Sequence, residues 1–438
     1  MKKLLFGWIL LFMAFYGMGQ FVPQPLNYPG TGYWPVYISI SDPQHVWIGT
    51  THEEGLIFPY AAKTTNGGDL WTFDSIPVPG EPWCSSICEW DTNTCFFVFT
   101  DMILSGGTIW KTTDGGDTWS NLTTTQFDGG FANFYHAFSA DTGVAMGDPT
   151  EGYFEIQITN DGGATWNRVP SSDIPVPLVG EAGLNNAYSA VGNSIWFATN
   201  QGRCFRSSDK GHTWQVTQVV EGVTASFNVC FSTGEKGAFW RGDYIGNDFV
   251  ITTDGGVTWD SVSIPEGHSI GGMTSVGGFD GGFVLTAFKT LMDVYFTPDL
   301  FMNMILIESN VMSNGTVSFY DATTGWLAGG ESGYNEIYKF TGVLTAVKEA
   351  EKDPGRLSIV PNPSATEALL KLPATDGIKS LVIRVTDMTG KVMEQRSIES
   401  SSAWITLNST GYANGIYLVE LLSGDKTMAR ARWVVRHW

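Results

Sequence analysis

Positive charge is what this sequence has least of. Twenty-four Lys and Arg stand against 44 Asp and Glu in 438 residues, a formal net charge of −20. From Leu357 onward nine basic residues face seven acidic ones, so the stretch before it holds 15 basic and 37 acidic residues, a net of −22. With no basic stripe to neutralise phosphates, nucleic acid is excluded as a partner. Cysteine is also sparse, and odd in number: Cys84, Cys88, Cys95, Cys204 and Cys230. Cys88 and Cys95 flank a turn at Asp91-Thr92-Asn93 and are expected either to bridge adjacent strands or to act as small buried apolar residues. No His lies near the Cys-x3-Cys-x6-Cys spacing, so neither a zinc site nor any other metal or cofactor is expected. The apolar run near the start, Leu4 to about Tyr16, is too short to span a bilayer comfortably, and no Cys follows it to make a lipoprotein. Preceded by Lys2 and Lys3 and followed by Gly17-Met18-Gly19, it reads as a secretory signal peptide over 1–19. The mature protein is expected to be exported to the periplasm and beyond, with no transmembrane segment.

Apolar material is ample. Hydrophobic residues make up 43% and aromatics 13%, while 52 glycines suit a chain built largely of turns, so an all-β fold is expected. One eight-residue phrase recurs. It reads Thr112-Thr113-Asp114-Gly115-Gly116-Asp117-Thr118-Trp119, with near-copies opening at Thr159, Ser207 and Thr252 and a looser one at Thr64. The copies are spaced 48, 47, 48 and 45 residues apart, a period that marks a propeller or another repeat architecture.

The phrase suits a tight hairpin. The acid or amide at its third place (Asn66, Asp114, Asp161, Asp209, Asp254) can accept backbone N–H groups a residue or two ahead, and Gly at the fifth supplies a positive φ. Trp at the eighth place (Trp71, Trp119, Trp166, Trp214, Trp259) turns a large apolar face toward a neighbouring blade. These acids are candidates for catalysis or Ca²⁺ binding, but near-identical recurrence favours turn locking. The units resemble the Asp-box, or BNR repeat, of sialidases, sortilin-type receptors, xyloglucanases and photosystem II assembly factor-like propellers. That resemblance implies that the boxes are structural and lie away from the functional face.

Between boxes a constant order of strands recurs, and seven short apolar second strands can be counted, from Val46-Trp47-Ile48-Gly49 to Gly325-Trp326-Leu327-Ala328. A sixth, degenerate box begins at Thr297 and keeps its Thr and Asp299. After Glu336-Ile337-Tyr338-Lys339-Phe340 the last blade stops one strand short, and the stretch Phe21 to Leu26 is expected to supply it, leaving no open edge. The reading is a seven-bladed β-propeller over 20–343 and a charged linker over 344–356. From 357 to 438, period-2 alternation broken by turns predicts a small Ig-like β-sandwich. This segment resembles the C-terminal sorting domain of the type IX secretion system of Bacteroidetes through Pro361-Asn362-Pro363, the Asp-x-x-Gly-Lys turn at Gly390, Asn414-Gly415-Ile416-Tyr417, and the basic residues Lys426, Arg430 and Arg432. The resemblance implies a partner, the type IX machinery, and release from the cell or attachment to its surface.

A sialidase-like site would need three arginines clamping a carboxylate, one in an Arg-Ile-Pro segment. Only Arg168, Arg203, Arg206 and Arg241 lie between 20 and 343, and none precedes Ile-Pro, so sialidase activity is disfavoured. Xyloglucanase-like catalysis needs paired carboxylates, and those enzymes resemble two propellers clasping a glycan where this chain has one. The expected site is the face opposite the boxes, where polar residues follow the second strands: His52 and Glu53; Asp101; Asp148, Glu151 and Tyr153; Arg241, Asp243 and Tyr244; Glu331 and Tyr334. Such a ring suits a glycan or a protein ligand and predicts a binding module, the alternative being a glycoside hydrolase using carboxylates of that face. His52 beside Glu53 reads as a surface His rather than a metal ligand, and Arg241-Gly242-Asp243 as a chance spelling of an adhesion tripeptide.

Overall fold

The computed structural model describes residues 20–437 apart from 53–58, 102–105, 124, 244–247, 263, 265–267, 312, 330–335, 346–354, 361, 363, 373–380, 388–389, 399–403 and 424–425. Residues 1–19, where a signal peptide is expected, lie outside the described residues. Contacts divide the chain into two compact units, Met1–Thr345 and Ala346–Trp438.

Among the described residues of the first unit, seven four-stranded antiparallel sheets follow one another along the chain. Their innermost strands are Tyr33–Ile40, Pro82–Glu89, Ala132–Ala137, Gly183–Val191, Phe227–Phe231, Ser269–Ser275 and Ser313–Phe319. Each touches the next and the last touches the first, so the sheets are the blades of a closed β-propeller, blade 1 being the one that begins at Tyr33. Blade 7 takes its outermost strand from the other end of the chain. Phe21–Pro25 pairs antiparallel with Glu336–Phe340, Phe21 opposite Phe340 and Pro25 opposite Glu336. Pro23 and Pro25 suit that place, because an outermost strand has one side on which no N–H is needed, and proline there blocks further pairing.

No single core exists. Apolar side chains form seven clusters in this unit, each shared by two neighbouring blades. Between blades 1 and 2, Trp47 and Phe97 meet the box Trp119 edge-on with ring centres 6.1 and 5.3 Å apart. Between blades 2 and 3, Trp166 donates its indole N–H to the Leu122 carbonyl across the gap (3.0 Å). In both gaps the box tryptophan sits between two neighbouring blades.

The boxes are closed by a knot that the sequence reading placed too near. Asp114 Oδ1 accepts the backbone N–H of Thr118, four residues ahead (2.9 Å), and Oδ2 accepts its hydroxyl (2.5 Å). The leading Thr112 was overlooked. Its hydroxyl donates to Asp114 (2.8 Å) and accepts the N–H of Gly116 (2.8 Å), so one side chain bridges both limbs of the turn. The fourth and fifth places both need positive φ, 73° at Gly115 and 95° at Gly116. In the degenerate sixth box Leu300 and Phe301 are held at 54° and 64°, Asn303 replaces the seventh-place Thr, and the bonds to Asp299 and Thr297 persist. Packing and the knot together override a backbone preference worth about 1 kcal/mol per residue.

The five cysteines are free and buried. A Cys88–Cys95 bridge is ruled out by the pleat: Cys88 points into the cluster between blades 2 and 3, and Cys95 into that between blades 1 and 2. Burial pushes the Cys88 thiol up to about 11 and the Cys230 thiol up to about 12.

The second unit is a two-sheet sandwich. Gly355–Arg356, Lys426–Val435, Gly415–Ser423, Leu381–Asp387 and Val392–Ile398 form one sheet in that order. Ser358–Val360, Glu367–Lys371 and Trp404–Asn408 form the other, and Leu370 and Leu407 pack with Ile383, Val419 and Trp433 between them. The two motif asparagines clip the final strand. Asn362 donates to the Arg432 carbonyl (2.8 Å) and accepts the Val434 N–H (2.8 Å), while Asn414 accepts the His437 N–H (2.6 Å). Tyr417 donates to the Ala413 carbonyl (2.9 Å), Gly390 turns at φ 88°, and Arg430 and Arg432 lie exposed on one side of the last strand. Pro361, Pro363 and the side chain of Lys426 lie outside the described residues.

Two outcomes follow from the knot and the closure. Hydrogen bonds from Thr118 and Thr258 hold Asp114 and Asp254 down to about 2, against 3.8 for an ordinary Asp. A carboxylate depressed in the folded state stabilises above its unfolded pKa and stops doing so as pH falls through the folded value. The melting temperature should therefore fall between pH 4 and 2, and Asp114→Asn, which retains the acceptor as Asn66 does, should make that fall shallower in melts followed by circular dichroism. Deleting residues 20–26 should open blade 7 and yield a chain that aggregates on size-exclusion chromatography.

Candidate functional site

Each innermost strand begins opposite the end of its blade's second strand: Tyr33 faces His52, Pro82 faces Asp101 and Phe227 faces Arg241. The ends of the second strands and the starts of the innermost strands therefore surround one mouth of the central channel, on the face away from the boxes. A cavity of about 430 Å³ opens there over blades 2 to 5, with Asn133, Asp148, Asn185, Ser226, Phe227 and Asn228 among its walls. Asp148 Oδ1 accepts the Asn133 amide (2.9 Å) and the Gly183 N–H (2.9 Å). Burial raises the Asp148 carboxyl above its usual range, and the two hydrogen bonds oppose that rise. Gly183 leaves the room: a Cβ there would stand 2.4 Å from Asn133 Nδ2.

One residue past Asn185 the channel is bridged. The pairing of Gly183–Val191 slips between Gly183 and Tyr188, and Asn186 takes a left-handed φ of 54°. Its side-chain oxygen accepts the Ser86 hydroxyl at 2.9 Å, joining blade 4 to blade 2 past the inner edge of blade 3. The cavity is thus a cup.

Two tryptophans stand on the same mouth. Trp34 and Trp83 sit at the starts of the innermost strands of blades 1 and 2, half-buried, rings 6.5 Å apart at 68°. Trp83 lies opposite Thr100, itself part of the cup wall. The sequence search missed this pair, and the cup asparagines, because it looked beyond the second strands rather than at the starts of the first. The signal was present as two Trp outside the boxes at matching strand positions.

The expected ring resolves into separate places. Asp101 lines a more apolar hollow of about 350 Å³ with Val78, Pro82 and Phe99. Glu151 and Tyr153 gather around Arg168, whose guanidinium lies 4.0 Å from the Tyr153 ring centre and 2.7 Å from both Glu151 and the buried Glu155. Thr150 and Gln157 also donate to Glu155, each at 2.6 Å. Arg241 binds Asp243 at 2.7 Å and Asp248 at 3.7 Å, so the adhesion-like tripeptide closes on itself. His52 is not a surface residue: it is buried, its Nε2 lies 2.9 Å from the Thr31 carbonyl, and its ring meets Tyr33 edge-on. Glu53, Tyr244, Glu331 and Tyr334 lie outside the described residues. Among the described residues no group of three His, Cys, Asp or Glu is placed to hold a metal ion.

Comparison with known proteins places this geometry in context. Residues 97–334 match the family described as photosynthesis system II assembly factor YCF48, and residues 358–436 match the secretion system C-terminal sorting domain. Among solved structures, YCF48 bound to D1 peptide superposes with a TM-score of 0.55 at 14% identity, covering 75% of this chain and 98% of that one. YCF48 from Cyanidioschyzon merolae gives 0.53 at 14% identity, over 73% and 98%. The GH74 xyloglucanase from Xanthomonas campestris gives 0.52 at 12% identity, over 93% and 66%. A probable oligoxyloglucan-reducing end-specific xyloglucanase of Neosartorya fischeri is 33% identical over 116 residues, 24% of this chain and 14% of that protein. The chain thus spans about a seventh of the curated relative it matches, and the structural likenesses establish the fold alone.

Arg168→Ala would leave Glu155 buried without its counter-ion, and should cost about 3–5 kcal/mol in urea unfolding.

Proposed function

Since the chain belongs to the photosynthesis system II assembly factor YCF48 family of propellers and carries a secretion-system sorting domain, we propose that it is an exported binding module whose channel-mouth cup holds a neutral stretch of glycan. The type IX system delivers it to the cell surface or the medium, after a signal peptide has taken it to the periplasm.

The observation that carries this reading is the pairing of Trp34 and Trp83 with the amides of Asn133, Asn185 and Asn228 on one mouth. A sugar ring has C–H faces that stack on indole and hydroxyls that both donate and accept. Carboxamides do both as well, whereas a carboxylate only accepts. Asp148 is the carboxylate in the cup wall among the described residues, and its Oδ1 is held by two donors. The hydrolase reading draws support from its raised pKa, which suits a general acid. Among the described residues the cup holds no second carboxylate, and glycoside hydrolysis ordinarily needs two, about 5–10 Å apart.

The full chain applied to a glycan array, followed by calorimetry on the best ligand, tests the proposal. Trp34→Ala and Asn133→Ala should each weaken binding by roughly tenfold or more, the worth of one stacking or hydrogen-bonding contact of about 1.4 kcal/mol. Asp148→Asn should leave a polysaccharide mixture as uncut as the wild type does. Absence of any glycan ligand would sink the proposal in favour of a protein ligand, and cleavage that Asp148→Asn abolishes would establish the hydrolase instead.

A further inference from the structure

On the box face, four blades place a cation opposite the aromatic residue of the second strand: Lys63 opposite Trp47, Lys111 opposite Phe96, Arg206 opposite Trp196 and Lys339 opposite Trp326. The lysines are structural. Lys111 donates to the carbonyl of Gly162 at the fourth place of the next blade's box (3.0 Å), and Lys339 donates to the equivalent Gly67. Lys63 pairs with Asp74 at 3.3 Å. Each also lies over its aromatic partner, between 5.1 and 6.0 Å from the ring centre.

Blade 4 departs from this scheme. There the indole N–H of Trp196, stacked on Phe231, takes the equivalent carbonyl of Gly255 (2.8 Å). Arg206 is released from the hook. Its Nη2 donates to Gln215 (2.7 Å), while its Nε is buried with no hydrogen-bond partner. Arg168, Arg203 and Arg241 each pair with a carboxylate, and among the described residues of the propeller Arg206 alone of the four arginines does not. It opens onto a cavity of about 250 Å³ shared with Ser194, Ser208, Gln215 and Asp254.

We infer that this cavity between blades 4 and 5 is a binding site for an oxyanion, a carboxylate or a sulfate or phosphate group, held by the Arg206 guanidinium. A planar guanidinium offers five N–H donors in a fork that fits such groups, and leaving a buried donor unused costs about 1–3 kcal/mol. Ser194 and Ser208 bring hydroxyl donors to the same space. Asp254 stays at the edge of recognition, because its Oδ1 accepts from Thr252, Val257 and Thr258 and its Oδ2 from Thr258. In a unit with so large an acidic excess, an arginine freed from both its structural acceptor and any carboxylate is placed to take its anion from outside. The site lies on the opposite face from the cup and stands independently of the glycan proposal.

Calorimetric titration of the full chain with sulfate, phosphate and glucuronate, at constant ionic strength set with chloride, tests the inference and separates the sources. At least one of the three should give a saturable isotherm. Arg206→Gln should weaken it roughly tenfold or more, as loss of a charge-assisted hydrogen bond requires, with Arg206→Lys between, and Trp34→Ala should leave it unchanged. Melting curves of each variant in chloride show that it folds, and Ser194→Ala serves as a second, milder probe. No saturable isotherm with any of the three anions, or the same isotherm for wild type and Arg206→Gln, would overturn the site and leave Arg206 a packing residue.

Discussion

A hydroxyl shared between a carboxylate and an amide underlies the propeller. In each box the leading Thr or Ser donates to the acid or amide two residues on and accepts the N–H four residues on, while that acid or amide reaches ahead to the seventh place. Three short bonds across eight residues set where the third strand ends and at what angle the fourth begins. That angle delivers the closing Trp to the neighbouring blade, where most of the apolar burial occurs. Local hydrogen bonding and long-range packing are thus two readings of one turn. In the sixth box the glycines are gone, yet the knot remains and Leu300 and Phe301 still pack into the neighbouring cluster.

Because the apolar clusters lie between blades rather than within them, a blade alone has nothing to fold around. Each one borrows half its core from the next, as repeat proteins do, and the ring leaves no terminal repeat in need of a cap. The same arrangement frees the inner rim. Trp34, Trp83, Asn133, Asn185, Asn228 and Asp148 belong to none of the clusters, so indoles, amides and a partly desolvated carboxylate gather at the channel mouth without being drawn from the core.

The architecture was legible in the sequence because its determinants are local and repeated. Spacing counted the blades, and the missing strand after Phe340 pointed to Phe21. The cup was not legible, since Asn133, Asn185 and Asn228 stand in three different blades and meet only through ring geometry. Nor was the slip at Asn186 that bridges the channel, which depends on Ser86, a hundred residues earlier. His52 was misjudged because a residue just past a strand looks exposed until the Thr31 loop and Tyr33 cover it. Arg168 was weighed only against a sialidase-like clamp, though its place in the short fourth strand of blade 3 aims it at two glutamates from the preceding hairpin.

The pairing of Phe21 with Phe340 orders events in time as well as space. The strand made first finds its place last, since its partner does not exist until nearly the whole propeller has been synthesised. Until then the ring has a gap and blade 7 an open edge, which reports that the chain is unfinished. A nascent molecule is therefore physically different from a complete one, and the segment that matches a sorting domain is synthesised only after the residues that close the ring.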